Sequence, residues 1–202
     1  MGRKRIAIVG GVAGGASCAA RARRLDEDAE IVLFERGPYV SFANCGLPYH
    51  VGDVIADESD LLLVTPERFR ERFDIDVRTH NEVVAIDRGE RAVRIRDRRD
   101  GHTYDHAYDA LVLAPGAKPF RPPVEGVDLP GVFTLRTVPD TRRLREWIEE
   151  HAARRAVVVG AGFVGLEIAE NLRHRELDVA ILELAPQVMP PLDPEMAHPL
   201  AE

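Results

Sequence analysis

Short apolar runs and two changes of period organise this chain. Arg5–Val9, apolar from Ile6 onward and closed by glycine, has the pattern of a strand buried on both faces. Ala13–Leu25 is rich in alanine and arginine and predicts a helix; Glu30–Phe34 predicts the next strand, ending at Glu35. Thr65 before Pro66 marks a capped short helix that runs to about Phe73. From Glu82 to Leu113 the period becomes two: Val83, Ala85 and Ile86, then Val93 and Ile95, then Tyr104 and His106, with a hairpin turn at Asp100-Gly101. This predicts a small antiparallel meander inserted in an α/β domain, and Ala110–Leu113 returns to a buried parallel strand. Asp140–Ala153 predicts a helix capped by Asp140, with Leu144, Trp147 and Ile148 on one face. Ala156–Val159, Gly162–Arg173 and Val179–Leu182 then repeat strand, helix and strand.

The stretch from Pro115 to Pro130 is rich in proline and glycine and is the expected crossing between domains, 1–114 and 115–202. Glycine loops open a strand-turn-helix in each half, at Gly10 and at Gly160, and read as an internal duplication. The fold class expected is α/β: a Rossmann-like domain carrying the meander, followed by a second Rossmann-like domain. After the second loop too few strands remain to close a sheet, so the second domain is expected to be incomplete and the chain a fragment or truncated product.

The loops carry the first chemistry. Gly160-Ala-Gly162-Phe163-Val164-Gly165 matches G-x-G-x-x-G in full, between an apolar strand and a helix. Its glycines permit a tight turn and close approach of backbone to a pyrophosphate at the helix N-terminus. Glu183 ends the next strand, placed to accept from ribose hydroxyls. It would repel a 2′-phosphate, and Leu184 to Met189 contains no Arg or Lys to hold one, which favours NADH over NADPH. The first loop, Gly10-Gly-Val12-Ala13-Gly14-Gly15, has Val12 where the middle glycine belongs, yet Glu35 again ends the following strand, and a dinucleotide is expected here too.

Charge and cysteine count narrow the remaining classes. The 202 residues are 45% apolar with a formal net charge of −7, enough for a packed core and the wrong sign for a nucleic-acid surface. The N-terminus resembles an export signal, but glycines at 10, 11, 14 and 15 break its apolar run, so a cytoplasmic protein is expected, and no stretch is long enough to span a membrane. The only cysteines, Cys18 and Cys45, fit no metal spacing, and no metal is expected. Cys18 lies mid-helix among alanines and reads as a small apolar residue. Cys45, in Ser41-Phe-Ala-Asn44-Cys45-Gly-Leu-Pro-Tyr49, sits among turn residues leading into a helix start, where the thiolate, the reactive form, is favoured. Positions 40 and 50 are Val40 and His50, so no second sulfur completes a C-x-x-x-x-C dithiol, and any thiol chemistry must use one protein sulfur through a mixed disulfide or a sulfenic acid. His50 reads as an ordinary polar histidine.

Ile8-Val-Gly-Gly-Val-Ala-Gly-Gly-Ala-Ser17, Ala22-Arg-Arg-Leu25, Ser41–Tyr49 and Leu111-Val-Leu-Ala-Pro-Gly116 together resemble the flavin-dependent pyridine nucleotide–disulfide oxidoreductases. The single-cysteine branch, with the coenzyme A-disulfide reductases, fits best, and Asn44 before the cysteine tilts the match that way. The resemblance covers essentially the whole chain. It implies FAD in the first domain, at Gly10, Val12, Ala13, Gly14, Gly15, Glu35, Arg36, Val83, Ala114 and Gly116. It implies NAD(P)H in the second, at Gly160, Gly162, Phe163, Val164, Gly165 and Glu183. Cys45 would be the redox-active nucleophile, and Ser17, Arg21, Arg24, Ser41 and Asn44 match positions that contact coenzyme A as substrate. A basic family position after Thr65-Pro-Glu aligns on Phe73, a departure for which Arg72 could substitute. A further flavin-binding stretch and a dimerisation domain belong to the family beyond residue 202, and a homodimer is expected of the parent.

Three readings follow. The first is an FAD-dependent, NAD(P)H-driven reductase of coenzyme A disulfide or a related persulfide. The second is an NADH oxidase or peroxidase cycling Cys45 through a sulfenic acid. The third is a catalytically inactive nucleotide-binding module.

Overall fold

The structure is a computed structural model and describes residues 2–201. The chain divides into two compact units, Met1–Phe42 with Leu62–Lys118, and Ala43–Leu61 with Pro119–Glu202.

In the first unit the strands β1 (Arg5–Val9), β2 (Glu30–Phe34), β3 (Ile75–Arg78) and β7 (Ala110–Leu113) form a parallel sheet of order β3-β2-β1-β7. Helices α1 (Ala13–Leu25) and α3 (Pro66–Phe73) and the antiparallel meander β4 (Asn81–Asp87), β5 (Ala92–Asp97) and β6 (Thr103–Ala107) complete the unit. Two cores follow from the strand period of two. Ile8, Ile31 and Leu33 pack with Ala16 and Ala19 of α1 and Phe69 of α3. Their neighbours Ala7, Val32 and Phe34 point the other way, against Val93 and Ile95 of the meander. A sheet covered on both faces needs strands that are apolar at every position, which is why β1 and β2 read as continuous runs.

The α/β class and the inserted meander agree with the expectation, and the Asp100-Gly101 turn joins β5 to β6 with Gly101 at a φ of 79°. The strand β3 has no counterpart among the expected elements. Only two of its four residues, Ile75 and Val77, are apolar, and Asp76 and Arg78 pair with each other at 2.8 Å on the sheet edge.

In the second unit β8 (Arg155–Val159) and β9 (Asp178–Leu182) pair in parallel around the crossover helix α5 (Phe163–His174). The helix α4 (Val138–Glu150) precedes them, and the short α2 (Leu47–Val51) and α6 (Pro194–Ala197) also belong here. Val51 joins Ile148, Val158, Ile168 and Leu172 in one buried cluster.

Three expectations change. Residues 43–61, expected in the first domain, fall in the second unit, while the later crossing, between Lys118 and Pro119, lies inside the expected Pro115–Pro130 stretch. The segment leaves and re-enters at one point, where Phe42 and Leu62 form an antiparallel bridge within the first unit, and Val51 fills the second unit's core. Asp140 is not the cap of α4: Thr137 is, and the Asp140 carboxylate sits three positions in, accepting from Thr137 N at 2.8 Å and Thr137 Oγ1 at 2.7 Å. Trp147 leaves the core face, stacking on His151 with ring centroids 3.7 Å apart and meeting Phe133 edge-on.

Candidate active site

The first glycine loop is forced by close approach. Gly10, at a φ of 96°, follows β1 and donates to the Phe34 carbonyl at 2.8 Å. A Cβ on Gly10 would stand 2.0 Å from the Ala114 carbonyl oxygen, and one on Gly15 would stand 1.7 Å from the Gly10 carbonyl oxygen. Val12 caps α1 through its backbone alone, with no acidic residue in the first turn, so the first-turn N–H groups remain open to an anion. Val12 is therefore no obstacle: the two glycines the turn needs are Gly10 and Gly15. Ala13 and Gly14 lie exposed in that first turn. Glu35 closes the loop, one carboxylate oxygen accepting from Gly11 N at 2.8 Å and the other from Gly37 N at 2.7 Å. Ala114 donates to Val9 at 2.8 Å, and Gly116 turns the chain away at a φ of 67°. Val83 sits at the bulge of β4, half-buried, and Arg36 is exposed beyond Glu35.

The second unit repeats this geometry. Gly160, at a φ of 101°, donates to Leu182 at 2.7 Å, and a Cβ on Gly165 would lie 1.9 Å from the Gly160 carbonyl oxygen. Gly162 caps α5 without a side chain, and Phe163 and Val164 are exposed in the first turn. Glu183 accepts from Ala161 N at 2.6 Å and Ala185 N at 2.8 Å, and these bonds hold its carboxyl below the usual carboxylate range. The likeness extends to Ser41 and Met189. Both take a left-handed backbone (φ 47° and 46°), and each donates 2.8 Å to the residue after the first loop glycine, Gly11 and Ala161. Each cradle offers open N–H groups at a helix N-terminus beside a glycine, Gly15 or Gly165, with no room for a Cβ, which fits a dinucleotide pyrophosphate.

Cys45 is exposed and outside any disulfide, in a single tight turn, Asn44–Gly46, that runs directly into α2. The expected turn into a helix start is present. Gly46 packs closely there, where a Cβ would crowd the end of the Leu61 side chain at 2.8 Å. Three contacts fix the segment. Asn171 fills the space beside Gly52, where a Cβ would lie 2.3 Å from Asn171 Oδ1. Arg145 donates to the His50 carbonyl and pairs with Asp53 at 2.7 Å. Arg175 pairs with Asp53 and with Glu149, each at 3.2 Å, and reaches the Val51 carbonyl at 3.3 Å. His50 is buried with Nδ1 2.7 Å from the Ile55 carbonyl, so that nitrogen carries a proton and donates.

A pyridine nucleotide-disulphide oxidoreductase family model matches residues 4–202. The chain belongs to this family. It is 42% identical over 193 residues to the coenzyme A disulfide reductase of Staphylococcus haemolyticus, a match covering 96% of this chain and 43% of that protein. It is 40% identical over 195 residues to an NADH oxidase of Methanocaldococcus jannaschii, covering 96% of this chain and 43% of that protein. The crystal structure of reduced Bacillus anthracis CoADR-RHD superposes with a TM-score of 0.96 at 50% identity, over 100% of this chain and 36% of that one. The chain thus spans less than half the length of the proteins it matches.

Within this family member the expected substrate positions fall in two places. Ser17, Arg21 and Arg24 share one exposed face of α1 in the first unit, with Arg24 Nε 3.2 Å from the Ala20 carbonyl. Ser41 belongs to the first unit, and Asn44 to the second, beside Cys45. Cys18 is half-buried rather than a core residue. Phe73 packs against the first core and Phe69, while Arg72 is exposed above the Phe73 ring at 5.5 Å. Arg136 is the residue that sequence reading missed: its Nη1 donates to Asn44 Oδ1 at 3.0 Å. Nothing in the local pattern marks a partner 92 positions away. Among the described residues no cluster of His, Cys, Asp or Glu could hold a metal, and no helix is long and apolar enough to cross a membrane.

Proposed function

We propose that this chain supplies the two dinucleotide sites and the reactive thiol of a flavin-dependent reductase that takes electrons from NADH and reduces coenzyme A disulfide or a related persulfide. The exposed Cys45, in a turn of a chain that carries two glycine cradles, is the observation that carries this reading. FAD would be held by Gly10–Gly15, Glu35 and Arg36, with Val83, Ala114 and Gly116 around it, and NADH by Gly160–Gly165 and Glu183. When bound, the nicotinamide would supply a hydride and the flavin would relay its two electrons to sulfur. The chain's own residues do the rest. The Cys45 thiolate attacks one sulfur of the substrate disulfide, the S–S bond breaks, and the second thiol leaves as thiolate and takes a proton from solvent. The Cys45 mixed disulfide then accepts two electrons and a proton and releases the first thiol.

In this reading Ser17, Arg21 and Arg24 hold the coenzyme's phosphates, while Ser41 and Asn44 hold its thiol arm. Glu183, kept charged by two backbone N–H groups, disfavours the 2′-phosphate of NADPH, and the neighbouring Leu184 is fully exposed with no cation beside it in sequence. A reducing cytoplasm suits two free cysteines. The family resemblance adds a homodimer as the working assembly.

The test is NADH consumption by the flavin-loaded full-length protein with coenzyme A disulfide, oxygen or peroxide as acceptor. The disulfide should be preferred, and Cys45→Ser should abolish its reduction while flavin is still reduced by NADH. Full disulfide reductase activity without the thiol would overturn the reading. The 40% identity to an NADH oxidase supports the second reading, which preference for oxygen or peroxide would favour.

A further inference from the structure

We propose that Arg136 selects which end of the Asn44 amide meets a substrate at Cys45, and so makes this site selective for disulfides whose arm carries a carbonyl near the sulfur. The inference rests on the thiol exchange at Cys45 argued above. A guanidinium has five N–H donors and no acceptor. The Asn44 atom 3.0 Å from Arg136 Nη1 must therefore be the oxygen, Oδ1. The end left over is Nδ2, and no described residue accepts from it. Asn44 and Cys45 are adjacent in one tight turn, so the two free N–H groups and the reacting sulfur are carried by the same short segment.

The backbone of Arg136 is itself held in register. Arg136 N donates to Asp140 Oδ2 at 3.1 Å, as part of the same carboxylate that caps α4 at Thr137. The α4 cap thus fixes the backbone of Arg136, and Arg136 fixes the amide. A locked pure donor beside an exposed thiol suits a ligand group that only accepts, and a carbonyl on the thiol arm is the neutral group that does so. A side chain free to rotate would offer donor or acceptor alike, and would not discriminate.

The experiment follows Cys45 adduct formation by mass, with peptide mapping to exclude Cys18, using two neutral disulfides. Pantethine carries amide carbonyls on its arms; dimethyl disulfide carries no acceptor. In both cases the Cys45 thiolate forms a new S–S bond and one thiolate leaves. The original protein should prefer pantethine. Asn44→Asp keeps the Arg136 partner but replaces the donors with an acceptor; Arg136→Gln can accept from Nδ2 and so unlocks the amide. Each should lower the pantethine rate about five-fold relative to the dimethyl disulfide rate, the order of one hydrogen bond; Asn44→Asp, which sets a carboxylate beside the thiol, should also slow both disulfides, whereas Arg136→Gln should leave the dimethyl disulfide rate unchanged. Arg136→Lys, another donor-only cation, should keep the preference. Variants that slow both disulfides equally would show a merely structural role and overturn the proposal, as would variants that change neither rate. Uptake of neither disulfide by the original protein would instead overturn the thiol exchange itself, and this inference with it.

Discussion

Gly15 stands against Gly10 so closely that a Cβ on the former would lie 1.7 Å from the carbonyl oxygen of the latter. Gly165 and Gly160 repeat the contact at 1.9 Å. In each case the obstruction is backbone, which cannot rotate away as a side chain could. Gly15→Ala should therefore open the first turn, at a cost of about 3 kcal/mol, and strip flavin from the protein while NADH binding persists. Gly165→Ala should do the reverse. Flavin content by absorbance and NADH affinity by fluorescence, measured on both variants, check that the two losses separate.

Glu183 accepts from two backbone N–H groups that flank the second loop, and these hold it ionised. In the proposed reading, replacing it by alanine removes both a ribose acceptor and a charge that repels phosphate. Glu183→Ala should weaken NADH about ten-fold, the order of one charge-assisted hydrogen bond, and weaken NADPH less. The ratio of kcat/KM for the two coenzymes reports it. An unchanged ratio would remove Glu183 from coenzyme choice.

The parts of the fold that were legible in the sequence are those where local pattern and tertiary role coincide. Ile8 and Ala7 face opposite cores, so β1 had to be apolar from Ile6 to Val9, and it read as a buried strand. The glycine loops and their terminal acids were legible because backbone geometry leaves few residues able to stand there. β3 was not, because four residues with only Ile75 and Val77 apolar are too short a pattern to mark a strand. The unit to which Cys45 belongs was not legible either. Val51, Arg145 and Arg175 decide it, and they meet only after the chain has folded. Thr137-x-x-Asp140 does carry a capping-box pattern, so the true start of α4 was available to a closer reading.

Arg175 is largely buried and spends its guanidinium on Asp53, Glu149 and the Val51 carbonyl. It holds α2, and with it the Cys45 turn, to the second unit. Arg175→Met keeps the apolar stem but leaves Asp53 to Arg145 alone. The expected cost is about 2 kcal/mol, because Asp53 is half-exposed and partly screened. The loss should be local. Hydrogen exchange should quicken across residues 43–61, with the amides of β1 and β2 in the first unit unaffected. Uniform loss of protection in both units would show that the arginine serves global stability instead.

His106 gives the first unit a pH dependence. Its Nε2 is buried without a hydrogen-bond partner, and its ring meets Phe34 edge-on at 5.3 Å. Burial lowers its pKa, and the nearby Arg78 adds to the shift, against weaker opposition from Glu30 and Asp76. The folded state therefore binds a proton less readily than the unfolded chain, whose histidine titrates at about 6.5. The contribution of the neutral ring is complete above that pH and is lost as pH falls through the depressed folded-state value. Urea midpoints should drop between pH 7.5 and 5. His106→Phe, which keeps an aromatic ring against Phe34 and cannot be protonated, should flatten that part of the profile. A profile equally steep in the variant would assign the acid sensitivity to other groups.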